Sequence, residues 1–505
     1  MMNRFLTFKP VWKNMGLALL LGAISGFSMP SFNLWPVLGF SIPLFLSVLE
    51  HSKQNFWMGW SFGFGYFLVA LHWIAYAFFV DADAYLWMMP FAVGGLCAAA
   101  AMYWGLAAWA AKRLHVRGVH LWLAYPFTLG VAELLRGVLI TGFPWAVPGL
   151  AIDGMGGVAQ GASLVGMNGM TFFVLLWAAA PFAWVRGSHK SALIILCTLP
   201  ALWLWGNIRI AQNPTQFVDG VGIRLVQPNI SQSDKWRSDN VRKIYDQLLA
   251  LSAQPSDLKI THIIWPESAV PFLLDESAEG QAELRPVLQG EKTLITGGVR
   301  RSDDGSQYYT SVMVFDGSAR KIVQYDKSHL VPGGEYLPLA WLLEPLGFRK
   351  VVDVPESFTE GQGPQAIAIP NAGWVSLQIC YEAIFPALSH LQNPRPDWIV
   401  NVTNDGWFGN STGPYQHLAQ LRLRAIEQGL PIARAANTGI SAVIDPVGVY
   451  VEKTDLDEVD SRSSRLPQKI QPTVYSLFGE WLPECLSLVL IFCAFFSRKK
   501  LKLKE

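Results

Sequence analysis

A multi-pass α-helical membrane domain of about eight spans, joined to an extracytoplasmic α/β domain, is the fold class that this sequence predicts. Three observations predict it. Charged residues make up only 15% of the 505 residues and hydrophobic residues 51%, whereas soluble globular chains carry about 25% charged residues. The apolar residues are segregated: up to about residue 207 the chain runs in apolar blocks with short polar breaks, while residues 208–473 have the composition of a soluble domain. From residue 474 the chain turns apolar again and ends in a basic tail. The predicted domains are therefore 1–207, 208–473 and 474–505. The 21 tryptophans fit aromatic rings placed at membrane interfaces. A net charge of +1 argues against a nucleic-acid partner.

Each span is predicted near the ~20 apolar residues needed to cross a bilayer. Seven precede the α/β domain, at 15–29, 34–49, 56–79, 85–111, 121–142, 162–185 and 192–205, and the eighth lies at 477–496. Prolines interrupt the second (Pro36, Pro43) and the seventh (Pro200). Basic clusters orient the set. Arg4, Lys9 and Lys13 precede the first span, Lys53 follows the second, Lys112, Arg113 and Arg117 the fourth, Arg186 and Lys190 the sixth, and Arg498, Lys499 and Lys500 the last. With eight spans, all of these fall on one side and Asp81 and Asp83 on the other. The positive-inside rule then puts both termini in the cytoplasm and the α/β domain outside. The first apolar stretch has no clear small-residue cleavage site and reads as an uncleaved anchor.

Glu133 and Arg136 lie about one turn apart within the fifth span. Charge inside a membrane is costly and is usually paired or functional. Two readings stay open: an internal ion pair, or contact of Arg136 with a lipid head group.

In the α/β domain, strands are predicted at 221–226, 260–265, 293–298, 309–315, 321–326, 366–369, 375–380, 398–403, 432–435, 440–444 and 449–453, with helices at 240–252, 278–288, 382–391 and 416–427. Apolar strands alternating with helices read as an α/β or α+β sandwich. There is no Gly-rich phosphate loop and no His or Cys cluster at metal-ligand spacing, so neither cofactor nor metal is expected. His262, His329, His390 and His417 are scattered and read as packed or surface residues.

Polar residues do interrupt three apolar strand ends, where ligands gather in open α/β sheets. Glu267 follows Trp265-Pro266, Lys327 follows Tyr325-Asp326 with Glu335 eight residues on, and Cys380 ends Gln378-Ile379 ahead of Tyr381 and Glu382. Cys97, Cys197, Cys485 and Cys493 fall in predicted spans, which leaves Cys380 as the one thiol of the external domain. An extracytoplasmic structural cysteine is usually disulfide-bonded, and this one has no partner in its domain. At a strand-to-helix turn, orphan N–H groups are expected to favour its thiolate and to receive an oxyanion.

At these strand ends the chain resembles the nitrilase (carbon–nitrogen hydrolase) superfamily, whose Glu–Lys–Cys triad sits in an αββα sandwich. Glu267, Lys327 and Cys380 match in order and in spacing. With the membrane frame the resemblance narrows to the bacterial apolipoprotein N-acyltransferase family. Three stretches carry it: Thr141-Gly142-Phe143-Pro144-Trp145, Gln227-Pro228-Asn229-Ile230 through Trp236, and Asn401-Val402-Thr403-Asn404-Asp405-Gly406-Trp407-Phe408-Gly409. One departure is visible: Gly333 in Leu330-Val331-Pro332-Gly333-Gly334-Glu335-Tyr336 stands where the family usually has an aromatic residue.

The resemblance implies a periplasmic catalytic domain on the inner membrane of a bacterium. A phospholipid donor, phosphatidylethanolamine, passes its sn-1 acyl chain to Cys380 as a thioester. The acceptor is the amino group of the S-diacylglyceryl-cysteine of a diacylated apolipoprotein. Glu267 is then the base, Lys327 the oxyanion partner together with the Tyr381 N–H, and Glu335, Tyr381 and Glu382 are supporting residues. Trp236 lines the acyl path or is an ordinary interfacial ring. Two other functions share parts of this pattern: a membrane-tethered amidase that uses water, and a transporter or receptor whose external domain only binds ligand.

Overall fold

The computed structural model describes residues 11–347 and 358–496. The chain divides into two compact units. One comprises the residues up to Trp73, Met89–Gln212 and the residues from Phe478, and the other Ile74–Met88 and Asn213–Leu477.

The first unit is helical because its segments are apolar on nearly every face and lack charge. Among the described residues, three helical stretches are long and apolar enough to cross a membrane: Ala82–Val116 (whose first residues belong to the second unit), Pro148–Val185 and His189–Gln212. A fourth forms if Asn55–Ala70 and His72–Phe79, bent by 51°, act as one span. Helices Val11–Gly26, Leu38–His51 and Trp481–Phe496 are shorter, at 16, 14 and 16 residues. Small residues let helices approach closely: a Cβ on Gly22 meets the Phe62 carbonyl oxygen at 1.8 Å, and one on Gly65 meets that of Leu19 at 2.0 Å. The helix expected over 121–142 ends at Val138. Beyond it Ile140 and Gly142 take positive φ, and Pro144 has no N–H to extend a helix.

Among the described residues, twelve strands build the second unit. β1 (Phe217–Gln227), β2 (His262–Trp265), β3 (Thr293–Arg301), β4 (Tyr308–Phe315), β5 (Lys321–Asp326) and β12 (Asp460–Pro467) form one sheet, in the order β12-β1-β2-β3-β4-β5. The other runs β11-β10-β9-β8-β7-β6, from β6 (Ala366–Ile369), β7 (Gly373–Ile379), β8 (Trp398–Thr403), β9 (Ile432–Ala436), β10 (Ala442–Ile444) and β11 (Tyr450–Lys453). β1, β2 and β3 run parallel, as do β7, β8 and β9.

Strand parity sorts the side chains into layers. Ile223, Leu225, Ile264, Ile295, Val312 and Val314 of the first sheet share one core with Val375, Leu377, Ile379, Val400 and Val402 of the second. The alternate residues Ile263, Trp265, Leu294 and Met313 face Ile244, Leu248 and Leu284 of the helices Val241–Ser252 and Ala278–Leu284. On the opposite side, Ile399, Ile432 and Ala442 pack on Leu418, Leu421 and Ala425 of Gly413–Gln428. The architecture is an αββα sandwich. Each fully buried Val, Leu or Ile contributes roughly 1.5–3 kcal/mol, so the inner faces hold the two sheets together. β12 has no counterpart among the predicted strands.

The expected helix over 382–391 is not formed. Cys380–Ile384 is a five-residue 3₁₀ turn, followed by a four-residue helix, Pro386–Ser389. Pro386 forces Phe385 into an extended conformation and breaks the run between them.

Candidate active site

Glu267, Lys327 and Cys380 meet where β2, β5 and β7 end. All three side chains are buried: Glu267 8%, Lys327 1% and Cys380 8% exposed. The Lys327 ammonium lies 3.4 Å from Glu267 Oε1 and 3.0 Å from Glu335 Oε1. The Cys380 sulfur lies close enough to the Glu267 carboxylate and to the Thr403 side chain, at the end of β8, for both to bear on its proton.

Backbone geometry explains how each strand presents its residue. The Pro266-Glu267 step turns sharply, with Ser268 at φ +45°. It packs on Gly297 of β3, whose N–H donates to Pro266 O at 3.2 Å and whose carbonyl accepts from Ala269 at 3.0 Å. The Lys327 N–H donates to Thr310 O at 2.8 Å. Just before it, Arg300 and Ser311 clamp Asp326. Cys380 stands at φ +48°, a left-handed conformation unusual for a side chain with a Cβ. A strained residue at a strand-to-turn junction projects its nucleophilic atom off the sheet.

The Cys380 backbone is held from behind. His417 Nε2 donates to the Cys380 carbonyl oxygen at 3.1 Å, and Nδ1 lies 2.9 Å from Asp405 Oδ1. Asp405 Oδ2 accepts from Arg434 at 2.6 Å, and Arg434 also donates to Asn401 at 2.7 Å. Glu382 fixes the front of the turn. Its oxygens accept from Ile379 N–H at 2.8 Å, Ser328 N–H at 2.7 Å, Ser328 Oγ at 2.7 Å and Tyr325 Oη at 2.8 Å. Glu382 thus ties the Lys327 loop to the Cys380 turn. Glu335 Oε2 accepts from Val331 N–H at 2.7 Å, which folds the 331–336 loop back on itself. Gly333 has φ +78° with open space where a Cβ would sit, a backbone conformation that an aromatic residue adopts only with strain.

The electrostatics correct one expectation. Burial, and then the charge of Glu267, push the Cys380 thiol up, against the pull of Lys327. The resting sulfur is therefore a thiol, because the 3₁₀ turn supplies no long helix dipole and Glu267 stands beside it. Burial also raises Glu267 above the usual carboxylate range; Lys327 and Lys235 oppose that and Glu335 adds to it. For Lys327, burial disfavours the ammonium, and Glu335, Glu267 and the sulfur outweigh it and hold the lysine above its ordinary range. The set is a protonated nucleophile, a carboxylate with raised proton affinity and a permanent cation, which suits general-base activation.

The remaining predicted residues sit differently. Tyr381 is buried beside the nucleophile, with its ring 5.1 Å from Phe385 and 5.8 Å from His329. Trp236 is 49% exposed. Arg136 lies in the helical unit and is 3% exposed; its Nε and Nη2 bind Glu133 and its Nη1 the Phe143 carbonyl. Trp104 donates to the same glutamate at 2.7 Å. Of its two readings, the internal ion pair is the one this geometry carries. Sequence patterns pass over Lys235, Thr403, Asp405, His417 and Arg434 as individual site residues. Two of them, Thr403 and Asp405, lie within the Asn401–Gly409 stretch, and Lys235 precedes Trp236.

Fold and site together define a membrane-embedded protein of the carbon–nitrogen hydrolase class. A carbon-nitrogen hydrolase family model matches residues 222–462, and one of the apolipoprotein N-acyltransferase N-terminal domain matches residues 21–180. An apolipoprotein N-acyltransferase of Rhodopseudomonas palustris is 38% identical over 514 aligned residues, covering 97% of this chain and 96% of that protein. A protein of the same name from Bradyrhizobium diazoefficiens is 40% identical, covering 93% and 92%, and one from Brucella melitensis is 36% identical, covering 91% of each. The chain belongs to the apolipoprotein N-acyltransferase family.

Proposed function

We propose that this protein N-acylates lipoproteins by a two-step transfer through Cys380. One observation carries the reading: a buried thiol, carboxylate and ammonium share one site in a chain that carries its own membrane domain. In the first step Glu267 takes the thiol proton as sulfur attacks the sn-1 ester carbonyl of a phospholipid, phosphatidylethanolamine. Lys327, aided by the Tyr381 N–H, balances the oxyanion. The ester C–O bond breaks, the lysophospholipid alkoxide takes the proton from Glu267, and the acyl group remains on sulfur as a thioester. In the second step the amino group of an S-diacylglyceryl-cysteine attacks that thioester and gives its proton to Glu267. The C–S bond breaks, the amide forms, and the proton returns to sulfur.

Glu335 holds Lys327 in place, and Glu382 holds the turn bearing Cys380 and Tyr381. Trp236 lies on the acyl path. Water exclusion keeps the thioester for the amine. Eight spans, cytoplasmic termini and a periplasmic catalytic domain complete the proposal, on the strength of the basic clusters. Both substrates are lipid-anchored, which is why the catalytic domain is tethered to the inner membrane.

Incubating the purified protein with phospholipid alone tests the first step. The expected result is an acyl mass increment on the Cys380 peptide, removed by hydroxylamine and absent in C380A. Adding a diacylated lipopeptide should then yield N-acylated peptide. Release of free fatty acid in its place would assign the protein to the water-using amidases.

A further inference from the structure

Lys235 is buried to 1% exposure, although its neighbour Trp236 is 49% exposed. Its ammonium donates to the backbone carbonyl oxygen of Glu267 at 3.2 Å, the one hydrogen bond its side chain makes among the described residues. A buried ammonium is costly unless something compensates it. Here the compensation comes from Glu267, through its peptide carbonyl and through its charge.

We propose that Lys235 is a positioning residue for the acyl transfer, a second ammonium that fixes the turn at Glu267 and keeps its carboxylate ready to accept the Cys380 proton. The proposal rests on Glu267 being the base. Four groups face that carboxylate: Lys327, Glu335, Cys380 and Lys235. Lys327 is shared, because it lies closer to Glu335 than to Glu267, and Glu335 itself repels Glu267. Lys235 answers to Glu267. It also holds the carbonyl adjoining Ser268, whose φ of +45° needs support from outside the turn. Burial brings the Lys235 ammonium down to about 8, with the charge of Glu267 opposing, so this cation is lost in mildly alkaline solution.

The test reads the first step alone. Full-length protein in detergent is mixed with a phospholipid carrying a labelled acyl chain, without an amine acceptor, and thioester formation on Cys380 is followed against pH. The wild type should show a rate that rises as Glu267 ionises. Removing a neighbouring cation raises a carboxylate's proton affinity, so K235M should move that acid limb up by about one pH unit and slow the reaction about tenfold along it. K235R keeps a cation that does not titrate in this range, and should keep the acid limb in place. A purely structural lysine predicts otherwise: K235M with a lowered melting temperature and an unmoved acid limb overturns the proposal. If K235M yields no folded protein, K235Q is read by the same criterion. A wild type that forms no adduct on Cys380 overturns the thioester reading instead, so the two failures are distinguishable.

Discussion

Glu335 Oε1 lies 3.0 Å from the Lys327 ammonium. It is the shorter of the lysine's two carboxylate contacts, the other being Glu267 Oε1 at 3.4 Å. Glu335 is itself fixed by the Val331 N–H, so the loop 331–336 and the ammonium support each other. Replacing Glu335 by Gln keeps the shape and removes the charge. Thioester formation in E335Q should fall roughly a hundredfold to a thousandfold, in the range of losing one preorganised electrostatic group. E335A should fall further, because Val331 also loses its acceptor. Rates of Cys380 acylation at fixed pH, set beside melting curves, check both; a wild-type rate in E335Q would remove Glu335 from the mechanism.

The proposed role of Glu267 as base gives the reaction a pH dependence of definite sign. Its carboxyl is raised above the ordinary range, by burial first, and the proposed step requires its ionised form. Acylation should therefore fall on acidification with a limb above the usual carboxylate value of about 4.3. Stability runs the other way. A carboxyl raised in the folded state contributes stability below its unfolded value, and that contribution is lost as pH rises through the folded value. At pH 7 the charged Glu267 is a cost. E267Q should therefore abolish acylation and melt no lower than the wild type at pH 7. A large destabilisation of E267Q would show that Glu267 is held for folding.

What the sequence discloses follows the range of the interactions. Apolar runs such as Trp398–Thr403 and Tyr309–Phe315 announce themselves locally, and so do the polar residues at strand ends, which is why Glu267, Lys327 and Cys380 are legible. β12 is not, because Asp460–Pro467 alternates Ser and Arg with little apolar content and pairs at the sheet edge with β1. The turn after Cys380 misleads as well: Glu382–Leu391 looks helical until Pro386 is given its due. His417, Asp405 and Arg434 come together only because β8 and β9 pair in parallel and Gly413–Gln428 packs over them. No local spacing encodes that. The burial of Lys235 is likewise invisible, since its neighbours Asp234 and Trp236 are exposed.

Asp405 is the keystone of the buried charges behind Cys380. Arg434 lies 2.6 Å from one of its oxygens and His417 2.9 Å from the other, with both partners fully buried. Burial opposes its ionisation, yet Arg434 and His417 outweigh burial and hold the carboxyl below its ordinary range. A lowered value contributes stability above the unfolded value and loses it as pH falls through the folded one. D405N leaves Arg434 buried without a counter-charge, which should cost about 3–5 kcal/mol at pH 7. The gap between D405N and wild-type melting should narrow as the pH falls below about 3.9. Equal melting at pH 7 would contradict this account.

Gly297 tests whether the position of the base matters as much as its charge. A Cβ at this site meets Glu267 Cα at 2.5 Å and Pro266 O at 2.7 Å, both backbone atoms. The two segments are also bonded to each other, through Gly297 N–H to Pro266 O and Ala269 N–H to Gly297 O, so the strand cannot simply step aside. In G297A the turn bearing Glu267 must shift from its present position. Overpacking of this kind typically costs about 1–3 kcal/mol, and a displacement approaching 1 Å at a reacting group can cost about a hundredfold in rate. Gly298 is the control, because a Cβ there meets only Met313 Cε, at 2.6 Å, the free end of a flexible side chain. G298A should acylate Cys380 at close to the wild-type rate, whereas G297A should stay folded and lose about two orders of magnitude. Equal rates in the two variants would mean that the base tolerates displacement, and that proton transfer from Cys380 does not limit the reaction.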